Sequence, residues 1–109
     1  MIFQINITQQ AEDDLRNVFE YIAYELQSVQ NAAAQLGRLE KAIFSLDHMP
    51  MRYRIYEKEP WHSRGLRVLT VDNYLVFYIP YPDTLNVEII RVMYGGRDVD
   101  TQLNRITKE

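Results

Sequence analysis

A chain of 109 residues, 47% of them hydrophobic, has the size of one compact domain, 1–109, and the apolar content to build a core, which excludes disorder as its resting state. It has no cysteine, and so no disulfide framework, thiolate metal site or cysteine nucleophile. The net charge of −3 is unevenly spread: residues 1–51 hold three basic against seven acidic side chains, a balance of −4, whereas residues 52–109 hold nine against eight, a balance of +1. A nucleic-acid binder carries a larger basic surplus, so contact with a polyanion is expected to be local and a protein target is at least as well supported.

The opening MIFQINITQQ has neither a basic start nor a long apolar run. No signal peptide, membrane span or membrane partner is expected, and the location expected is cytoplasmic. Residues 2–7 read as a short strand. Thr8 then stands as an N-cap, its hydroxyl placed to accept from an unpaired amide of the first turn. Ala11, Leu15, Val18, Phe19, Ile22 and Leu26 recur at spacings of three and four, which predicts a helix over about 9–26. Glu12, Asp13 and Asp14 sit in its first turn, where the helix dipole favours negative charge.

Gln27 and Ser28 break the pattern, and Ser28 is placed to cap a second helix. There Leu36, Leu39, Ile43 and Leu46 repeat the spacing until Pro50 ends it. So short a break predicts an αα-hairpin. Gly37 lies inside the second helix, where close helix–helix approach would account for it. Tyr53 to Tyr56 reads as a short strand and Lys58 to Gly65 as a loop.

Residues 66–71 and 74–80 are rich in β-branched and aromatic side chains, with Asp72-Asn73 between them as a tight turn. Pro82-Asp83 marks a second turn before a strand over about 85–94. Gly95-Gly96 ends that strand, and Asp98 is placed to cap a last helix with Val99, Leu103 and Ile106 on one face. The order β-α-α-β-β-β-α describes an α+β fold: a mostly antiparallel sheet with a helical hairpin on one face and a short C-terminal helix.

Taken together, these segments resemble a known family. ITQQAEDDLRNVFEYIAYEL resembles the strand-to-helix start of RelE/ParE superfamily toxins, and RLEKAIFSLDHMP resembles their second helix. LRVLTVDNYLVFYI is similar to their central hairpin, and VEIIRVMYGGRDVDTQL to their closing strand and turn into the last helix. The resemblance spans nearly the whole chain. It implies the toxin of a type II toxin–antitoxin system, of the kind tied to growth arrest and plasmid stabilization. It also implies a cognate antitoxin encoded nearby, with DNA contacted only indirectly through that antitoxin.

The superfamily implies two targets. ParE-like members inhibit DNA gyrase without an established catalytic site, and RelE-like members enter the ribosome and cut mRNA without a metal. Under the nuclease reading the catalytic candidates are Arg54, Arg64, Arg67, Tyr94 and Arg97, since such cleavage needs proton transfer and cations beside the phosphate. Yet Leu75 stands where these enzymes carry Arg, and Leu103 falls about where one subgroup carries a C-terminal Tyr. Tyr94 is the nearest match to another subgroup's His, and a phenol with a reference pKa near ~10 is a poor base at neutral pH. Gyrase inhibition is therefore the favoured expectation.

For target binding the candidates are Trp61, His62, Arg91, Arg97 and Leu103. Arginines among aromatics in 52–67 suit RNA or a protein hot spot, and they equally suit aromatics that cover the sheet beside solvated charges. Arg97-Asp98 resembles the Arg-Asp turn of ParE-like chains. The hairpin residues Ala33 and Leu36, within an Ala32-Ala33-Ala34 stretch expected to be exposed, are the antitoxin-binding candidates. His48 and His62 make no metal pattern, and neither a metal nor a cofactor is expected. A non-toxic binding module on the same scaffold is the remaining reading, because fold alone does not fix function.

Overall fold

The computed structural model describes residues 2–96 and 98–106, with the side chains of 105 and 106 left out. Strand β1 (Gln4–Ile7) leads into helix α1 (Gln9–Glu20), a π-helical turn (Tyr21–Glu25) and helix α2 (Val29–Phe44). Two 3-10 turns (Ser45–Asp47 and Pro50–Arg52) and a one-turn helix α3 (Trp61–Arg64) precede the meander β2 (Arg67–Val71), β3 (Tyr74–Tyr81) and β4 (Asn86–Tyr94). Helix α4 (Val99–Ile106) closes the chain. The α+β order expected from the sequence is the observed one.

Both expected caps form: Thr8 Oγ1 accepts from the Ala11 amide at 3.2 Å, and Ser28 Oγ accepts from the Asn31 amide at 3.2 Å. Asp98 likewise accepts from the Thr101 amide and hydroxyl, at 3.4 and 2.8 Å. Asp72 takes the left-handed conformation (φ 55) that the β2–β3 turn requires.

The sheet order is β1-β4-β3-β2, with β1 parallel to β4 and the other pairs antiparallel. Both faces are covered, which is why β3 reads as a nearly continuous apolar run. Leu69, Val76, Tyr78, Val87, Ile89 and Val92 pack with Leu15, Val18, Leu39 and Ile43 of the helical hairpin. Val68, Phe77, Ile79, Ile90 and Met93 pack on the other side with Trp61 of α3 and Leu103 of α4. A register shift at Phe77/Tyr78 leaves Ile90 without a partner across the strand and lets β4 supply side chains to both layers.

Four readings change. The stretch Tyr53 to Tyr56 is not a strand; it makes a single bridge, Ile55 to Arg67, and is fastened by other means. Lys58 to Gly65 contains the one-turn helix α3, which seats Trp61 in the second core. Gly37 does not mark close helix approach, because a Cβ placed there meets nothing within 4 Å. In the Ala32-Ala33-Ala34 stretch, Ala32 is fully buried and only Ala33 and Ala34 face outward.

Three phenol or indole contacts fasten the loops. Tyr78 Oη donates to the Pro50 carbonyl at 2.6 Å, and burial raises its phenol far above the ordinary range. Tyr56 Oη donates to Asp100 at 3.0 Å and Trp61 Nε1 to Asn104 at 2.6 Å, so α4 is held by polar contacts as well as by Leu103.

Two predictions follow from this packing. Gly37→Ala fills open space and removes a flexible residue from a helix interior, so it should raise stability by roughly 0.5–1 kcal/mol in urea unfolding. Burial, then the Asp100 hydrogen bond, raises the Tyr56 pKa from 10.0 to about 12. The folded state thus holds this proton more tightly than the unfolded one. Its contribution is complete below pH 10 and is lost as the pH climbs from 10 towards 12. Tyr56→Phe should therefore flatten the decline of the unfolding midpoint across that window; an unchanged slope would refute the assignment.

Candidate functional site

Where β1 stops pairing with β4, beyond the Ile7–Ile89 pair, α1 takes over the edge of the strand. Asp14 accepts from Arg91 Nε and Nη2 at 2.7 and 2.9 Å and from the Val92 amide at 2.9 Å. The side chains of Arg91 and Asp14 are only 7% and 12% exposed. One carboxylate thus replaces the missing strand and neutralises the guanidinium.

Beside this pair opens a cleft of about 920 Å³ between the helical hairpin and the ends of β3 and β4. Val18, Ile22 and Val92 give it apolar surface, while Asn31, Gln35 and Asn73 bring amide groups to it. Tyr21, Tyr74 and Tyr94 also line it, with Tyr74 and Tyr94 edge to face at 5.8 Å. Burial, then the nearby Tyr21 and Tyr94, raises the Tyr74 pKa. On α2, Arg38 and Gln35 donate to Asp72 at 2.8 and 2.9 Å, which holds the β2–β3 turn against the hairpin. Those two partners lower the Asp72 pKa, Arg38 first. The cleft offers apolar surface and amide and phenol groups, and its two cations are paired, Arg91 with Asp14 and the more exposed Arg38 with Asp72.

Of the expected site residues, Arg91 and Tyr94 line this cleft together. The Arg91 guanidinium is buried against Asp14. Trp61 (3% exposed) and Leu103 (fully buried) are both core residues of the opposite layer. Arg67 is half-buried and donates to the carbonyls of Met51 and Tyr53 at 3.0 and 2.6 Å, pinning the 50–56 segment. Leu75 packs against the second core, so the position where nucleases carry Arg is apolar in its surroundings as well as its identity.

The exposed candidates are scattered. Arg54 is exposed, and its carbonyl accepts from the Val68 amide. Arg64 is exposed with its guanidinium 4.8 Å from the centre of the Trp61 ring. His62 is exposed and has Glu59 at 3.7 Å, a carboxylate partner not anticipated from spacing. Tyr94 is 49% exposed. On α2, Ala33 is exposed and Leu36 half-buried. Arg97 lies outside the described residues. Among those described, no group of three or more His, Cys, Asp or Glu is placed to hold a metal ion, and no helix is long and apolar enough to cross a membrane.

Sequence reasoning missed Asp14. A signal was present: it lies three residues after Ala11 and four before Val18, on the buried face of α1. An acid there calls for a buried partner, which dipole complementarity does not supply.

The family model described as the ParE toxin of type II toxin–antitoxin systems, parDE, matches residues 5–99. No curated protein matches the chain. Among solved structures, the chromosomal ParDE system from P. aeruginosa superposes with a TM-score of 0.69 at 16% identity, over 85% of this chain and 96% of that one. The free E. coli toxin RelE, in a mutant form, gives 0.65 at 13%, over 97% and 99%. The RelBE2 toxin–antitoxin complex from Mycobacterium tuberculosis gives 0.61 at 20%, over 86% and 92%. At these identities the likeness is one of fold, and the family follows from the match across 5–99. The chain belongs to the ParE toxin family: it is a toxin of a type II toxin–antitoxin system in the RelE/ParE superfamily.

Proposed function

We propose that the protein arrests growth by binding and inhibiting DNA gyrase, and that a cognate antitoxin encoded nearby neutralises it. The observation that carries the gyrase reading is where the sheet's arginines go. Arg91 is locked to Asp14 and Arg67 to two backbone carbonyls, while Leu75 packs, half-buried, against the second core. Cleavage of RNA needs a base, an acid and a free cation within reach of one phosphate. The exposed Arg54 and Arg64 lie outside the cleft that holds Tyr94. An inhibitor that works by binding needs only a complementary surface.

The antitoxin reading is supported by the family match and by the likeness to the RelBE2 toxin–antitoxin complex. A disordered antitoxin segment that folds on contact would cover the exposed face of α2 around Ala33 and Leu36, where small side chains allow close approach.

Pulse-labelling of DNA and protein synthesis within minutes of induction in a sensitive bacterium tests the mechanism. DNA synthesis is expected to stop first, and relief should follow when the antitoxin is co-expressed. If protein synthesis stops first, the protein acts on the ribosome and its mRNA, and Arg54 and Arg64 become the first residues to mutate.

A further inference from the structure

The tip of the helical hairpin departs from regular helix in two ways. Its last turn before the break is π-helical, with the Leu26 amide donating to the Tyr21 carbonyl at 3.2 Å. Gln27, which is not glycine, then takes a positive φ of 53. Both are unfavourable choices for the backbone, and π turns are found disproportionately at functional sites. The consequence here is a division of side chains. Ile22 and Ala23 stay in the core, while Tyr21, Tyr24, Leu26 and Val29 are 54%, 69%, 58% and 61% exposed.

Four large apolar side chains are thus exposed within nine residues at this tip, and two of them, Tyr21 and Leu26, also line the cleft. Single exposed apolar residues need no explanation, but a patch with an acidic rim marks an interaction surface. Glu20 and Glu25 supply that rim. Both are exposed, and neither is in an ion pair among the described residues. They belong to the half of the chain whose balance is −4. The complementary partner surface is therefore basic, with an apolar side chain to enter the cleft.

We propose that this hairpin tip is the surface by which the toxin grips gyrase, seated on the basic protein surface with which that enzyme holds DNA. The proposal rests on the gyrase reading. An enzyme that grips DNA must present lysine and arginine to the phosphates, which is the charge this tip complements. Tyr24 and Leu26 would supply the apolar contact, and Glu20 and Glu25 would steer and orient the encounter.

The test is inhibition of supercoiling by purified gyrase, together with binding to immobilised gyrase, for four forms of the toxin. These are the wild type, Tyr24→Ser/Leu26→Ser, Glu20→Lys/Glu25→Lys, and Met49→Ser, a change at an exposed residue away from the tip. Thermal melts establish that each is folded. The two tip variants should each lose about tenfold in inhibition and affinity, the charge reversal chiefly by slower association, while Met49→Ser stays within about twofold of wild type. Folded tip variants that inhibit like wild type would overturn the hairpin assignment and leave the gyrase reading intact. A wild-type toxin that neither binds nor inhibits gyrase would overturn the gyrase reading and, with it, this proposal.

Discussion

A carboxylate on α1 and a guanidinium on β4 meet where water barely reaches, and the placement of the helical hairpin depends on that meeting. Asp14 accepts three hydrogen bonds, two from Arg91 and one from the Val92 amide. Each group alone would be a strongly unfavourable buried charge, and removing one partner of such a pair costs about 3–5 kcal/mol. Mutual neutralisation lets α1 lie against β4 beyond the end of β1 without leaving a strand edge unsatisfied. Asp14 and Arg91 both line the cleft, and the apolar layer of Leu15, Val18, Leu39 and Ile43 seats the rest of the hairpin on the sheet.

The same pair shapes the chemistry. The sequence offers Arg67 among the catalytic candidates and Arg91 among the target-binding ones. In the fold the Arg91 guanidinium is engaged from within by Asp14. Arg67 is engaged by backbone carbonyls, and Trp61 and Leu103 are enclosed by the second core. At its tip the hairpin exposes Tyr21, Tyr24, Leu26 and Val29 together with Glu20 and Glu25.

The fold was legible because its signals are local. Thr8 and Ser28 cap the helices they precede, Asp72 turns the hairpin, and the three-and-four spacing of Leu15, Val18, Leu39 and Ile43 gives the buried faces. The site was much less legible. Whether Arg91 is exposed depends on Asp14, 77 positions away in the chain, and no local pattern encodes such a distance. Trp61 reads equally as a hot-spot aromatic or as a cover for the sheet, and it is α3 that seats it in the second core with Phe77 and Leu103. Gly37 misled for a different reason: the sequence shows a glycine in a helix but not the open space beside it. The π turn has no composition of its own, so the tip that carries the docking proposal was invisible.

The most direct test of this account is a double-mutant cycle between Asp14→Asn and Arg91→Gln, read by urea unfolding alongside toxicity in cells. The account predicts large losses of stability in each single variant, a double variant far less destabilised than their sum, and a coupling of at least about 2 kcal/mol. Toxicity should fall only as far as folding does. Contradiction would come from single variants as stable as the wild type but no longer toxic, because Arg91 would then act on the target itself.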